Sequence, residues 1–379
     1  GAVTLAVPAR TDHLTEVLAA LYPAPYGLRP AAGPTAAGYR LVPYRGRPRL
    51  LVPEPPRLAA AGLRCAAGRG PAARLGVRIS TAIPAATRLL PVLRVYGPPD
   101  ADCFGQYAGH ALGLDDPHLV IHVGGPVRAN RKPVVAVLDP DGRAAGYAKL
   151  GGTTLTQALV RNERAALRSL GSARLTYTRI PAVLATDVWY GHEVLIQSAL
   201  PVSRQDRGDT GLLLRAMREV AQVCGVRRGR LADTGYWSTL RARIAHRYDH
   251  RLTAAATRLE HRAGDVVLDY GAWHGDWSPW NCQVGSDAVL VWDWERFAVG
   301  VPLGYDVLHH HLARALTGRR PAAALDDLAR LLGPFGLTPQ QARITAGLYL
   351  IEIATRYLTD GQRTAAAGTV MTLLERTTT

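Results

Sequence analysis

In the stretch HGDWSPWN, His274, Asp276 and Asn281 stand at H-G-D-x-x-x-x-N spacing, and further on Asp293 closes the short apolar run AVLVWD. An aspartate on a loop can accept a proton from a hydroxyl group. An amide oxygen and a second carboxylate are hard oxygen ligands that suit Mg²⁺, an ion held by one or two protein carboxylates plus substrate phosphates. Such a set belongs to phosphoryl transfer, where a protein mainly positions groups and neutralises charge. Taken singly, Asp276 would read as a helix or turn cap. The spacing to Asn281 and Asp293, in a chain that uses little asparagine, favours the chemical reading.

Phosphoryl transfer from a nucleotide also calls for a lysine on the nucleotide phosphates and a glutamate that holds it. The chain has 45 Lys and Arg residues, of which Lys132 and Lys149 are its only lysines. Lys149 lies in GYAKL, at the end of a third strand-like run, and Glu163 in RNERAAL lies on the helix predicted next. A strand lysine could equally be an edge charge, and any amphipathic helix carries a glutamate. Strand lysine, helix glutamate, loop Asp with Asn, then a further Asp nevertheless follow one another in the required order.

The elements that would position these residues are legible as changes of pattern. From His118 the runs LVIHV, PVVAVL and GYAKL, separated by GGPVRANRK and a DPDG turn, predict three antiparallel strands. Residues 156–170 have helical periodicity, and 181–185 and 193–200 predict two more strands. The remainder predicts helices at about 209–225, 236–262, 303–317, 322–333 and 339–359, interrupted by strand and loop around the polar constellation. Before His118 the chain is rich in Ala, Pro and Arg, with strand-like runs at 39–44, 49–53 and 75–80 and helices at 12–21 and 57–67. No chemistry and no internal repeat are evident there. The expected division is an N-terminal extension of open role, 1–117, a small strand-rich lobe, 118–200, and a helical lobe, 201–379.

Composition limits the alternatives. A chain of 379 residues can bury ample core. No apolar run spans a bilayer and no secretory signal opens the chain, so a cytoplasmic protein with no membrane partner is expected. Cys65, Cys103, Cys224 and Cys282 are scattered, without the spacing of a zinc site or disulfide framework, and are expected to be reduced and mostly buried. The net charge of +15 favours an anionic partner, but no nucleic-acid module is present and nucleic-acid binding is not expected. His309, His310 and His311 look like a metal cluster, yet adjacent residues on a helix diverge around its axis. Arg243, Arg247 and Arg251 would form a stripe on one helix, either a solvated face or an anion-binding wall near the acceptor.

HGDWSPWN and VWDWE, with Lys149 and Glu163 upstream, resemble the aminoglycoside phosphotransferase and choline kinase-like family. The resemblance covers about 118–365. It implies an α+β, bilobal protein-kinase-like fold with a small antiparallel-sheet N-lobe and a larger, mostly helical C-lobe. It implies ATP and Mg²⁺ as cofactors. Carried over by position, Asp276 becomes the catalytic base, with His274 supporting its loop. Asn281 and Asp293 become the Mg²⁺ ligands, Lys149 the ligand of the nucleotide phosphates and Glu163 its partner. Asp306 matches an aspartate that braces the catalytic loop, although it reads equally well as a helix N-terminal charge. The stretch 195–200, with Gln197 and Ala199, takes the place of the linker whose backbone meets adenine. The phosphate-covering loop departs from its pattern, offering only Gly124 and Gly125, with Arg131 and Lys132 nearby to aid them. Gly275 replaces the arginine of H-R-D, and too few residues separate Asp293 from Asp306 for a regulated activation loop.

The activity implied is phosphorylation of a hydroxyl on a small molecule, a sugar, amino sugar or amino alcohol. A polycationic acceptor fits poorly, because after residue 300 the acids are few: Asp306, Asp326, Asp327, Glu352, Asp360 and Glu375. An alternative acceptor is Ser or Thr of a biosynthetic precursor peptide of lanthipeptide type, phosphorylated ahead of elimination. A nucleotide-binding pseudokinase is the reading from another class, and the retention of Lys149, Asp276, Asn281 and Asp293 speaks against it.

Overall fold

A computed structural model describes residues 12–44, 47–65, 84–123, 129–202, 208–315, 325–361 and 365–378. The predicted strand at 75–80 and the glycines Gly124 and Gly125 lie outside these residues. The chain divides into two compact units. One takes the described residues within Gly1–Arg164 and Ala182–Ala199, the other those within Ala165–Pro181 and Leu200–Thr379.

In chain order the first unit contains α1 (Asp12–Leu21), β1 (Thr35–Tyr44), β2 (Arg47–Pro53), α2 (Pro56–Cys65), β3 (Val92–Tyr96), α3 (Phe104–Leu112), β4 (His118–His122), β5 (Val134–Leu138), β6 (Ala144–Gly151) and the start of α4 (Thr154–Gly171). After β7 (Thr178–Arg179), which belongs to the second unit, it resumes with β8 (Val183–Trp189) and β9 (His192–Gln197). Its strands form one eight-stranded sheet in the order β3-β1-β2-β4-β5-β6-β9-β8, antiparallel throughout. The sequence explains why both faces are covered. In β5 the run VVAVL is apolar at every position, and strand geometry sends alternate side chains to opposite faces. Val135 and Val137 join Leu51, Leu119, Ile121 and Leu150 in one core, with Leu14, Val17 and Leu18 of α1 and Phe104 of α3. Ala136 and Leu138 join Leu50, Val52 and Val120 in the other, with Ala59, Ala61 and Leu63 of α2. Each large side chain fully buried in this way contributes about 1.5–3 kcal/mol. The stretch before His118 thus supplies three strands of the sheet, two helices to one face and one to the other.

The second unit contains α5 (Thr210–Gln222), β10 (Arg227–Arg230), α6 (Gly235–Ala245), α7 (His250–Ala263), β11 (Val267–Trp273), β12 (Cys282–Val284), β13 (Val289–Val291), β14 (Ala298–Pro302), α8 (Tyr305–Ala315), α9 (Leu328–Leu332), α10 (Pro339–Thr359) and α11 (Ala365–Thr378). Two small sheets, β10-β11-β14 and β12-β13-β7, accompany the helices. The predicted strands at 39–44 and 49–53 and the helix at 339–359 are present where expected. The single helix expected at 236–262 is two. Tyr248 has φ of +54°, a left-handed conformation that a helix cannot contain. Asp249 then caps α7 by accepting a hydrogen bond from the Leu252 amide at 2.9 Å. The arginine stripe consequently does not exist on one helix, and Arg243 on α6 pairs instead with Glu352 at 2.8 Å. Helices α3 and α11 were not expected. All four cysteines are free, but only Cys282 is buried; Cys65 and Cys103 are half-buried and Cys224 is exposed. No described helix is long and apolar enough to cross a membrane.

Candidate functional site

Two polar clusters, one in each unit, hold the residues singled out by the sequence. In the first unit Lys149 sits on β6 between Val134 of β5 and Leu195 of β9. Ala148 and Leu150 go into the core on one face, so the alternation of the strand sends Lys149 to the other. There its Nζ donates to both carboxylate oxygens of Glu163 on α4, at 2.8 and 2.7 Å. The pair is nearly sealed, with side chains 8% and 0% exposed. Two buried charges are tolerated only when paired this closely. Gln197 ends β9, registered with both Tyr147 and Val183, and its Oε1 is buried without a hydrogen-bond partner among the described residues. Ala199 follows the strand and is half-buried.

In the second unit β11 leads directly into His274, Gly275 and Asp276. The turn needs glycine at 275: its φ is +87°, and a Cβ there would lie 2.1 Å from the Arg296 carbonyl oxygen. This is a physical reason for H-G-D rather than H-R-D in this chain. Asp306, in the first turn of α8, accepts from the backbone N–H groups of His274 at 2.7 Å and Gly275 at 3.2 Å. Burial pushes its carboxyl up to about 7, against the pull of those two donors. From the other side Arg356 of α10 donates to the Gly275 carbonyl at 2.5 Å, its guanidinium lying 4.9 Å from the Trp273 ring centre.

His274 is fully buried. A carbonyl can only accept, so its Nε2–H donates to the Trp292 oxygen at 3.0 Å and Nδ1 is left to accept from the Asp276 N–H at 3.1 Å. Burial holds this imidazole down at about 4, hence neutral. Its ring packs edge-on against Trp294, with centroids 4.5 Å apart. His274 therefore props the loop from beneath.

Asp276 is half-buried, its side chain 35% accessible. Oδ1 accepts from Ser278 Oγ at 2.8 Å and meets His309 Nε2 at 2.8 Å. Asn281 Nδ2 donates to Oδ2 at 3.0 Å and to the Asp276 carbonyl at 2.9 Å. Burial pushes the Asp276 carboxyl up, but the hydrogen bond from His309, the charge of that ring when protonated and the Ser278 donor outweigh it. The result is a carboxyl below its ordinary range, despite the opposing charge of Asp293. Asp276 is thus an anion at neutral pH, and its side chain is not sealed from solvent. Asn281 spends its amide nitrogen on Asp276, so its oxygen is the atom it has to offer a cation. Asp293 has a left-handed backbone, φ +71° and ψ +54°, and its charge acts on both Asp276 and His274.

Sequence reasoning missed His309, Ser278, Tyr349 and Arg356. One signal was available: His309 stands three residues after Asp306 on a helix, a spacing that puts both on one face.

Solved structures share the fold. A ligand-free thermostable mutant of the aminoglycoside phosphotransferase APH(4)-Ia matches with a TM-score of 0.50 at 15% identity, over 72% of this chain and 98% of that one. A thermostable mutant of the same enzyme, in a ternary complex with ADP and hygromycin B, matches at 0.50 and 16% identity, over 72% and 97%. An ethanolamine kinase from Plasmodium vivax matches at 0.43 and 12% identity, over 65% and 79%. No family model and no curated protein matches the sequence. The chain has the protein-kinase-like fold of the aminoglycoside phosphotransferases, as its motifs anticipated.

Proposed function

We propose that the protein is a phosphotransferase that moves the γ-phosphoryl group of ATP to a hydroxyl group of a small molecule. The observation that carries this reading is the loop of the second unit. An ionised Asp276 is held by Ser278, His309 and Asn281 while its side chain stays 35% accessible. An acceptor hydroxyl donates to that carboxylate, which fixes the direction of its oxygen lone pair and takes the proton late, as the oxygen bonds to phosphorus and ADP departs with the bridging oxygen. The backbone that carries Asp276 is pinned by Asp306, Arg356 and His274, so orientation costs little when the acceptor binds.

The donor set fits a hard divalent cation: an amide oxygen from Asn281 and a carboxylate from Asp293 would hold Mg²⁺. Such an ion supplies charge neutralisation on the transferred phosphoryl group. In the first unit, Lys149 would serve the nucleotide phosphates, with Glu163 fixing its ammonium group. Gln197 and Ala199 would border the adenine, and Gly124 and Gly125 would cover the phosphates.

Support for a small acceptor comes from the fold, since APH(4)-Ia has been crystallised with hygromycin B. The scarcity of acids after residue 300 disfavours a polycation. The test is to offer the purified protein ATP and Mg²⁺ with separate pools of sugars, amino alcohols and acidic Ser/Thr peptides, and to follow phosphate addition by mass spectrometry. Product in a small-molecule pool is expected. Product in the peptide pool alone would contradict this acceptor class and favour the precursor-peptide reading.

A further inference from the structure

The phosphotransfer scheme counts His309 only as one of three groups that hold Asp276 and gives it no particular role. His309 is 8% exposed and leaves α8 on the face that also carries Asp306. Its Nε2 lies 2.8 Å from Asp276 Oδ1 and 3.3 Å from Ser278 Oγ, and its Nδ1 lies 2.9 Å from the Tyr349 hydroxyl on α10. A carboxylate only accepts, so Nε2 carries a proton. Burial keeps the Tyr349 phenol well above its usual range, so that group is an O–H at neutral pH and can donate to Nδ1. The neighbouring His310 turns elsewhere, its Nδ1 lying 3.1 Å from the Trp277 carbonyl oxygen, so the histidine run is not a joint metal site.

We infer that His309 is a positioning residue for Asp276, holding Oδ1 through Nε2–H, and that Tyr349 braces the ring from its other nitrogen. The terminal rotor of an aspartate is broad and roughly two-fold. Asn281 and Ser278 alone restrain it with a flexible amide and a hydroxyl, whereas the imidazole is rigid and backed by a buried phenol. Releasing the carboxylate turns it away from the line along which the acceptor oxygen must face phosphorus. A misplacement of about 1 Å can cost about 100-fold in rate. The consequence for turnover rests on the phosphotransferase reading; the Nε2 proton rests on geometry alone.

The experiment uses the full chain. Long-range ¹H–¹⁵N NMR of the labelled protein is expected to find His309 protonated at Nε2, in the parent and in Tyr349→Phe alike. A ring without a proton on Nε2 in the parent protein overturns the inference whether or not turnover is found. Kinetics give the second arm. His309→Leu is expected to lower kcat about 100-fold with the KM for nucleotide unchanged, and His309→Gln, which retains a donor at similar reach, to recover part of that loss. Equal losses in both variants, or a matching loss of nucleotide affinity, mark a merely structural residue and overturn the inference. An inactive parent protein counts against the phosphotransferase reading only, and the Nε2 proton then decides the role of His309 by itself.

Discussion

At the scale of single residues, the pair Lys149 and Glu163 makes the sharpest demand. Both charges are buried and the contact is bidentate. Lys149→Met strips Glu163 of the ammonium group and is expected to cost about 3–5 kcal/mol of stability. Adding Glu163→Gln removes the buried charge and is expected to restore most of that loss without restoring turnover. Urea midpoints of the parent, single and double variants check this; a single variant as stable as the parent would contradict it. The Lys149–Glu163 pair and the contact of Asp276 with Asn281 were legible because these residue types are scarce in the chain or stand at a fixed spacing. His309 and Tyr349 were not, because their relation to Asp276 arises only when α8 and α10 pack against the loop, and no local pattern encodes that.

At the scale of elements, α8 is tied to the loop by Asp306, which accepts two backbone donors while fully enclosed. Its carboxyl is raised to about 7 by burial, above an unfolded value of about 3.9. A group raised in this way binds more protons when folded. Its contribution is fully present below about pH 4 and is lost as pH rises through about 7, by an amount on the order of a few kcal/mol. The stability difference between the parent and Asp306→Asn is therefore expected to move in the variant's favour as pH goes from 4 to 8. Denaturation at a series of pH values checks it, and a difference flat across that range would contradict it. Element by element, β5 and α10 were readable because apolar runs and caps are local, Thr338 and Gln341 forming a capping box at the start of α10. The break between α6 and α7 was not. Tyr248 has no sequence signature for a left-handed backbone, and the apolar periodicity continues on both sides of it.

At the scale of the whole molecule, the α+β class followed from the strand-like runs after His118 and the helical remainder. The place of the first part of the chain did not. Strands β1, β2 and β3 join the same sheet as β4, through pairs such as Leu51 with Ile121, and long-range pairing of that kind leaves no mark in local periodicity. Short runs such as RLLVP predicted strands without naming their neighbours. The fold itself is shared with kinases at 15–16% identity.

The central claim is that Asp276 directs phosphate from ATP onto a hydroxyl group. The most direct measurement is Mg²⁺-dependent phosphate transfer by the parent protein and by Asp276→Asn, each with ATP affinity measured alongside. The account predicts transfer by the parent, a loss of about 10²–10⁴-fold in the variant, and nucleotide affinity unchanged. Equal transfer by both proteins, or ATP binding with no transfer to any acceptor pool by the parent, would contradict it.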